Sequence, residues 1–429
     1  MTADVKTETG FTMDTSSIKY GPGMTREVGH DMLHLGAHRV MVVTDPHLVR
    51  GEPVSVTLDS LRAQGIDAVL FDQVCIEPTD VSFKEAIQFA TEGRFDGYVA
   101  VGGGSSIDTA KAADLYATHP ANFLAYVNPP IGEGRPVPGR LKPLIAIPTT
   151  AGTGSETTGV TIFDFLEMQA KTGIAHRALR PMLGIVDPDN TRTLPGMVAA
   201  CSGLDVLGHA LESLTALPYN KRPAAEHPSL RPAYQGANPI SHIWASRAIE
   251  MVSKNLVRAV EDPSDDEARG QMLLAAALAG IGFGNAGVHL PHGMSYPVSG
   301  MVHDFVADGY PPDHPIIPHG MSVILNSPAV FRFMAPANPE IHLYAASLMG
   351  ADTADAAPED AGEMLAGAVI DLMRRVGMPN GLGEVGYGLE DVGQLVAGTL
   401  PQHRVTKLAP RPAGAEDLRQ IFLDALSYW

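Results

Sequence analysis

Four side chains in the second half of the chain are of types that bind transition-metal ions. Asp205 and His209 stand four residues apart in "GLDVLGHALES", whose apolar residues recur at helical spacing, so both lie on one helix face. His292 and His319 open two His-Gly-Met-Ser sequences, in "LPHGMSYP" and "IIPHGMS". Three imidazoles and one carboxylate suit Fe(II) or Zn(II). Spacing alone does not bring the distant histidines together, and a surface Asp-His pair is the alternative.

Two further side chains accompany this set. His289, three residues before His292, could ligate, relay protons or form a hydrogen bond. Tyr296 is a candidate catalytic residue as a hydrogen-bond donor beside the metal, with simple packing as the alternative. His303 and His314 lie in a proline-rich stretch and are expected to be incidental.

Two glycine-rich loops could bind phosphate. "YVAVGGGSSIDTAK" places Gly102, Gly103, Gly104 and Ser105 between an apolar strand and a helix, where backbone N–H groups and the helix dipole favour an anion. "PTTAGTGSET" (148–157) follows another strand, and open α/β sheets bind ligands at the carboxyl ends of their strands. The first loop matches neither the dinucleotide fingerprint nor a Walker loop, so a tight turn is the alternative.

Asp45 ends the first strong strand, in "RVMVVTDPH". An acid at this place often accepts the ribose 2′-OH and repels a 2′-phosphate, which favours NAD over NADP. Here the acid precedes the glycine loop, the reverse of the Rossmann order, which indicates a related topology. An aspartate that merely starts a turn is the alternative.

Two structurally different domains are predicted to position these loops and candidate metal ligands. Apolar runs alternating with helical patterns predict a parallel sheet covered on both faces up to about residue 190. The later stretches are rich in Ala, Leu and Met at helical period and predict an all-α domain. We therefore expect an α/β nucleotide-binding domain over 1–190 and a helical metal-binding and substrate domain over 191–429. The predicted strands are 39–45, 66–74, 95–104, 143–150 and 183–188, and the predicted later helices are 196–216, 241–260, 265–283, 320–334, 358–376 and 415–427.

Composition narrows the class of partner. The chain has 429 residues and a formal net charge of −18, which argues against nucleic acid as a partner. Its two cysteines cannot form a disulfide framework, so we expect a reducing compartment. The start, "MTADVKTETGFTMD", has no signal-peptide character, and no apolar run is long enough to span a membrane. These features predict a cytoplasmic protein with no membrane partner.

Taken together and in order, the motifs resemble those of the iron-containing alcohol dehydrogenase family. The resemblance runs from "KYGPG" through "GGGSSIDTAK", "PTTAGTGSE", "GLDVLGHALES" and "HGMSYP" to "PHG", nearly the whole chain. It implies a dehydroquinate synthase-like architecture, NAD(H), a divalent metal and small-molecule substrates in a dimer or larger homo-oligomer. The implied metal ligands are Asp205, His209, His292 and His319, and the implied cofactor contacts are Asp45, Gly102, Gly103, Gly104, Ser105, Asp108, Thr149, Thr150, Thr153, Ser155 and Lys171.

One departure from the family's sequence pattern indicates a particular branch of the family. Many members read His-Gly-x-x-His-Pro where this chain has Tyr296 before the proline. That feature, with "ALPYNKRP" and "GTLPQHRVTKLAPRP", resembles the hydroxyacid-oxoacid transhydrogenase branch. The branch oxidises 4-hydroxybutyrate to succinic semialdehyde and reduces 2-oxoglutarate to D-2-hydroxyglutarate while NAD(H) stays bound. Its mitochondrial members have a transit peptide, which the acidic start of this chain does not resemble, so we expect a bacterial protein.

Carboxylate substrates need a cation to bind them. Candidates are Lys221, Arg222, Arg231, Arg404 and Lys407, and we favour Arg231 because a guanidinium binds a carboxylate with two hydrogen bonds. Three alternatives remain open at this point. The first is an NAD-dependent alcohol dehydrogenase that releases NADH, and the second is a lyase of the dehydroquinate-synthase type. The third is a non-catalytic metal-binding protein, which the two nucleotide loops disfavour.

Overall fold

The structure is a computed structural model that describes residues 6–168, 170–310 and 315–429, so His314 lies outside the described residues. The chain divides into two compact units. One unit is Thr15–Leu194, and the other is Pro195–Trp429 with the N-terminal residues up to Asp14. In the second unit, the N-terminal residues are tied to the helical half by hydrogen bonds such as Thr12 N–H to Gln235 Oε1, at 3.0 Å.

A six-stranded, all-parallel sheet forms the centre of the first unit, in the order β1-β8-β5-β4-β2-β3. Strands β6 and β7 form a separate antiparallel hairpin. The strands are β1 (Ser17–Tyr20), β2 (Arg39–Val43), β3 (Asp67–Phe71), β4 (Gly97–Gly102), β5 (Leu144–Pro148), β6 (Val160–Phe165), β7 (Ala170–Ala175) and β8 (Leu183–Val186). The helices of this unit are α1 (Val28–His34), α2 (Glu52–Ala63), α3 (Asp80–Gly93) and α4 (Gly104–Thr118).

Both faces of the sheet are covered, which is why its strands are apolar without alternation. In β2, Met41 and Val43 pack into one core cluster with residues of α3 and α4. Val40 and Val42 pack on the other face with residues of α1 and α2. Every residue of β4 and β5 is buried. The carboxyl ends of β2, β4 and β5 therefore meet at one edge, where Asp45 and both glycine loops begin.

The second unit is helical. Its helices are α5 (Gly196–Thr215), α6 (Pro239–Glu261), α7 (Asp266–Ala286), α8 (Leu290–Gly300), α9 (His319–Ile324), α10 (Ser327–Met334), α11 (Pro339–Leu348), α12 (Ala361–Arg375), α13 (Val392–Thr399), α14 (His403–Thr406) and α15 (Ala415–Asp424). Helix α5 runs through the core and packs against α6, α7 and α9. Gly287, at φ +96°, ends α7 and lets the chain turn into α8.

The predicted fold class is confirmed: a parallel sheet with helices on both faces precedes a helical half. All five predicted strands are present, while β1, β6 and β7 were not predicted from their short, partly polar sequences. Within the described part of the chain, no single helix is long and apolar enough to cross a membrane; the bent pair Asp266–Ala286 and Leu290–Gly300, at 106°, passes that test jointly.

Candidate functional site

Asp205 lies at the centre of three imidazoles in the helical unit. Its Oδ1 is 3.8 Å from Nε2 of His209, 3.7 Å from Nε2 of His292 and 3.8 Å from Nε2 of His319. Asp205 and His209 come from successive turns of α5, while α8 and α9 supply the other two. The fold thus brings together all four residues of the predicted set, and their role as metal ligands stays a prediction.

The chemistry of this cluster fits a divalent metal ion. Asp205, His209 and His292 are buried, and their ligand atoms lie within 4.8 Å of one another. Nε2 of His292 is buried and has no hydrogen-bond partner among the described residues. Because a buried polar atom without a partner is costly, an electron-pair acceptor is expected at this nitrogen. Three nitrogens and one oxygen are a donor set that Fe(II) and Zn(II) accept.

Glu212, which sequence reasoning missed, orients one of the imidazoles. Its Oε1 lies 2.5 Å from Nδ1 of His292, and its Oε2 accepts the backbone N–H of His289 at 2.6 Å. Burial alone would raise the pKa of Glu212, but the charge and hydrogen bond of His292 hold that pKa below its usual value. The signal was present: Glu212 lies on the same face of α5, two turns after Asp205.

His209 is kept neutral by its surroundings. Its ring stacks on Phe283 with centroids 3.9 Å apart and planes 6° from parallel. Burial, and then the neighbouring His292 and His319, hold the pKa of His209 well below its usual value. A neutral imidazole is the form that binds a metal ion.

His289 has contacts that support the site rather than extend the cluster. It lies just before α8, fully buried, with Nε2 2.9 Å from Thr215 Oγ1. Burial lowers the pKa of His289 to about 4. It thereby fixes the start of α8 against α5, one turn before His292.

Tyr296 also lies on α8, one turn after His292. Its ring is 6.4 Å from that of His319, and its hydroxyl accepts a hydrogen bond from Nη2 of Arg404 at 3.1 Å. The Arg404 guanidinium also lies over the Tyr234 ring, 5.4 Å from its centroid. Sequence reasoning named Arg404 as one of five candidate cations but had no means of placing it beside this tyrosine.

Arg231, the favoured substrate cation, is already engaged. Its Nε and Nη2 donate to the two carboxylate oxygens of Glu8, each at 3.0 Å. The hydrogen bond from Arg231 is the main cause that lowers the pKa of Glu8 to about 2. The guanidinium group that was expected to bind a substrate carboxylate therefore binds Glu8 of the N-terminal segment. The structure does not support Arg231 as the substrate-binding cation.

The glycine loops approach each other closely within the first unit. A Cβ on Gly103 would lie 3.2 Å from Thr150 Oγ1, and one on Gly104 would lie 2.5 Å from Thr153 Cγ2. At Gly102, with φ +154°, a Cβ would meet Ser106 Oγ at 2.3 Å. The absence of a side chain at these three glycines therefore leaves room for the side chains of Thr150, Thr153 and Ser106 at the start of α4.

The remaining predicted nucleotide contacts surround this edge. Thr149 donates its backbone N–H to Gly102 O at 3.1 Å, and Ser105 lies in the first turn of α4. Asp45 is 8% exposed and accepts the backbone N–H of His47 at 2.9 Å. A Cβ on Gly102 would lie 3.7 Å from Asp45 Oδ2, so the acid borders the first loop.

Asp108 and Ser155 form hydrogen bonds within the first unit, in a network with Lys111 that was not predicted from the sequence. Lys111 is fully buried, and its Nζ donates to Ser155 Oγ at 2.5 Å and to Val160 O at 2.7 Å. Ser155 Oγ donates to Asp108 Oδ1 at 2.5 Å. Burial, the largest cause, lowers the pKa of Lys111 and raises that of Asp108. These bonds fix the second loop to α4, and the cofactor contacts expected of Asp108 and Ser155 stay a prediction.

Lys171, expected at the cofactor, is paired within the unit. It lies in β7 and contacts Glu77 at 2.7 Å and Asp164 at 3.0 Å. Although burial opposes the charged form, these two carboxylates raise the pKa of Lys171. Its charge therefore balances two acids of this unit.

Comparisons with known proteins agree with this architecture. The profile "Iron-containing alcohol dehydrogenase" matches residues 15–188, and "Fe-containing alcohol dehydrogenase family, C-terminal" matches residues 233–426. The mitochondrial hydroxyacid-oxoacid transhydrogenases of Bos taurus and Homo sapiens are each 55% identical over 418 residues, covering 97% of this chain and 90% of the relative. A crystal structure of 1,3-propanediol oxidoreductase is 28% identical at a TM-score of 0.85, covering 97% of this chain and all of that one (100%). The alcohol dehydrogenase from Oenococcus oeni is 26% identical at a TM-score of 0.84, with coverage of 97% and 100%.

These relatives contradict the expectation of a bacterial, cytoplasmic protein. The transhydrogenases that match 97% of the chain are mitochondrial proteins of eukaryotes. The bacterial assignment rested on the acidic first residues, and the cytoplasmic one on the two cysteines and on the lack of signal-peptide and membrane-span character; a targeting segment is separate from the fold that follows it. Those residues were therefore a poor basis for inferring a compartment.

Proposed function

The chain belongs to the iron-containing alcohol dehydrogenase family, and we propose on that premise that it transfers hydride between a hydroxyacid and an oxoacid. The observation that carries the proposal is the 55% identity, over 97% of the chain, with proteins named hydroxyacid-oxoacid transhydrogenase. The substrate pair is 4-hydroxybutyrate, oxidised to succinic semialdehyde, and 2-oxoglutarate, reduced to D-2-hydroxyglutarate. The same premise implies a homo-oligomer.

The proposed metal centre is the cluster around Asp205. Asp205, His209, His292 and His319 would hold a divalent ion, with iron favoured by the family, and that ion acts as a Lewis acid on a substrate oxygen when bound. Glu212 keeps Nδ1 of His292 engaged, so Nε2 points toward Asp205. Asp205, His209 and His292 are buried, which strengthens their electrostatic interactions, while the His319 side chain is 25% exposed.

The proposed nucleotide site is the edge of the parallel sheet. Asp45, the Gly102–Ser105 loop, Thr149, Thr150 and Thr153 would hold NAD(H), which carries the hydride when bound. Backbone N–H groups at the start of α4 suit a pyrophosphate, and the Asp45 carboxylate suits a ribose hydroxyl. The Lys111 network keeps the second loop in register with the first.

The experiment is a two-substrate assay without added NAD. The purified protein is given 4-hydroxybutyrate and 2-oxoglutarate, and products are followed by NMR. We expect succinic semialdehyde and 2-hydroxyglutarate in equal amounts. Free NADH accumulating with simple alcohols, independently of the oxoacid, would instead identify a conventional alcohol dehydrogenase.

A matched pair of variants tests the metal centre. His292→Ala should lose bound metal and activity together, measured by elemental analysis and the same assay. His303→Ala removes an imidazole whose side chain is 46% exposed and should change neither. Full metal content and activity in His292→Ala would remove His292 from the ligand set.

A further inference from the structure

Arg404 has hydrogen-bonding capacity that the protein leaves unused. Nη2 donates to the Tyr296 hydroxyl at 3.1 Å, and the guanidinium also forms a hydrogen bond with Tyr234, whose ring it overlies. Nη1 is buried and has no hydrogen-bond partner in the parts of the chain that the structure describes. A charged donor in this state is expensive unless a ligand satisfies it, and a guanidinium edge is shaped for a carboxylate.

The place of Arg404 is beside the proposed metal centre. The Tyr296 ring lies 6.4 Å from the ring of His319 and is held by the same helix as His292. On the other side, Tyr234 packs edge-on against Phe283, with centroids 6.5 Å apart, and Phe283 stacks on His209. Arg404 is thus linked to His319 through one aromatic ring, that of Tyr296, and to His209 through two, those of Tyr234 and Phe283.

Arg404 also belongs to a local excess of positive charge. Among the described residues, no carboxylate lies within ion-pair distance of Arg404, Arg222 or Lys407. Arg222 and Lys407 line a pocket of about 270 Å³ in the same unit, together with the ion pair of Arg231 and Glu8, so the cations of this pocket outnumber its one carboxylate. Partial burial, and then the charges of Arg222 and Arg404, lower the pKa of Lys407, so the three cations share one local field. In a chain of net charge −18, such a cluster favours entry of an anion that the protein as a whole repels.

The two proposed substrates share one geometric feature. In 4-hydroxybutyrate, two methylene groups separate the carbon bearing the hydroxyl from the carboxylate carbon. In 2-oxoglutarate, two methylene groups separate the reacting carbonyl carbon from the distal carboxylate carbon. A single cation at a fixed distance from the reacting oxygen can therefore serve both directions of the reaction.

We propose that Arg404 binds the carboxylate that both substrates carry two methylene groups from the reacting carbon, with Tyr296 positioning its guanidinium. The ligand class is a short carboxylic acid oxygenated at the γ carbon relative to that carboxylate. This inference rests on the proposed function for the identity of the substrates. Arg222 and Lys407 act at longer range by attracting the anion.

The test compares an acid with its neutral isostere. The ratio of kcat/KM for 4-hydroxybutyrate to that for 4-hydroxybutanamide is measured in the wild type, Arg404→Gln and Arg419→Gln. Arg404→Gln should lower this ratio by about 10- to 100-fold, mainly through KM for the acid, because a charge-assisted hydrogen bond is lost. Arg419→Gln removes an exposed guanidinium of α15 and should leave the ratio unchanged. An unchanged ratio in Arg404→Gln would overturn the proposal.

Direct binding separates this inference from the proposed function. Glutarate, an inert dicarboxylate of matching length, is titrated by calorimetry into the metal-loaded wild type and both variants. Loss of glutarate affinity only in Arg404→Gln supports the assignment of Arg404, whether or not 4-hydroxybutyrate is turned over. Absence of 4-hydroxybutyrate turnover would refute the proposed function but not this assignment. Equal glutarate affinity in all three proteins would refute the role of Arg404. If Arg404→Gln does not fold, Arg404→Lys replaces it, with a several-fold loss expected and an unchanged affinity contradicting the proposal.

Discussion

Nδ1 of His292 lies 2.5 Å from Oε1 of Glu212, and both side chains are buried in the helical unit. Helix α5 therefore supplies the central carboxylate, Asp205, and also the group that orients an imidazole from α8. A carboxylate on the far nitrogen fixes the tautomer of a ligating histidine and raises its basicity. Glu212 is thus expected to tune the site without touching the metal.

The first prediction concerns this carboxylate. Glu212→Gln keeps the shape of the side chain but removes its charge, so metal affinity should fall about 10- to 100-fold. Competition with a chelator measures that affinity directly. Glu250→Gln, which alters a surface pair with Arg247, serves as the control and should bind metal like the wild type. Equal affinity in Glu212→Gln would show that the contact only packs.

The metal cluster was predictable because each ligand candidate stands out in sequence. Asp205 and His209 share a helix face, and the two His-Gly-Met-Ser sequences mark His292 and His319. Glu212 was overlooked because a glutamate on an amphipathic helix is ordinarily a solvated residue. Only the packing of α8 on α5 shows that it is buried. Arg404 could not be chosen over Arg231 because the partner of each, Tyr296 and Glu8, is distant in sequence.

The fold was predictable to the extent that hydrophobic runs reveal it. The five central strands are apolar on both faces, which marks them as buried parallel strands. The hairpin of β6 and β7 contains Asp164, Lys171 and Thr172. Because these residues are polar, the hairpin lacks the apolar runs by which the other strands were predicted. The internal pairing of Lys171 could not be foreseen, because Glu77 lies on a different segment of the unit.

A second prediction concerns the buried lysine that joins the two loops. Lys111→Met should destabilise the protein by about 3 kcal/mol, because it removes the cation from a buried network with Asp108. Urea denaturation followed by circular dichroism measures the loss. Lys84→Met breaks a partly exposed pair with Asp80 and should cost about 1 kcal/mol or less. Similar losses in the two variants would contradict the role assigned to the network.

A third prediction uses the buried carboxyl group of Asp114. Burial raises its pKa to about 7 from an ordinary 3.8, against hydrogen bonds from Thr118 and the Lys142 amide. Between these two pKa values the folded state retains a proton that the unfolded chain has released. The contribution of this carboxyl group to the free energy of unfolding is therefore complete below the ordinary pKa of 3.8 and is lost as pH rises through about 7.

Asp114→Asn removes this titration while keeping an oxygen acceptor. The melting temperature of the variant relative to the wild type should rise as pH increases from 3.8 to about 7 and stay constant above that, so the variant should gain on the wild type between about pH 5 and about pH 8. Asp59→Asn, at a side chain that is 77% exposed, should leave the pH dependence as it is. Parallel melting curves for Asp114→Asn and wild type across this range would show that Asp114 does not hold a proton.

A fourth prediction separates positioning from proton transfer at Tyr296. Tyr296→Phe keeps the ring beside His319 but removes the acceptor of the Arg404 hydrogen bond, so the acid-to-amide ratio should fall about fivefold. Metal content and turnover of the neutral amide should not change. Tyr387→Phe, which removes a buried hydroxyl bonded to Val298 O at 2.6 Å, should leave the ratio unaltered. A fall in kcat for the amide in Tyr296→Phe would indicate a part in proton transfer.

Direct transfer of hydride from the hydroxyacid to the oxoacid can be followed with an isotope label. The enzyme is given 4-hydroxybutyrate carrying two deuterons on the carbinol carbon, together with unlabelled 2-oxoglutarate and no added NAD. We expect one deuteron at C2 of each 2-hydroxyglutarate formed, seen by mass spectrometry, and an equal amount of succinic semialdehyde. Unlabelled 2-hydroxyglutarate, or aldehyde formed only as added NAD is reduced, would contradict direct transfer.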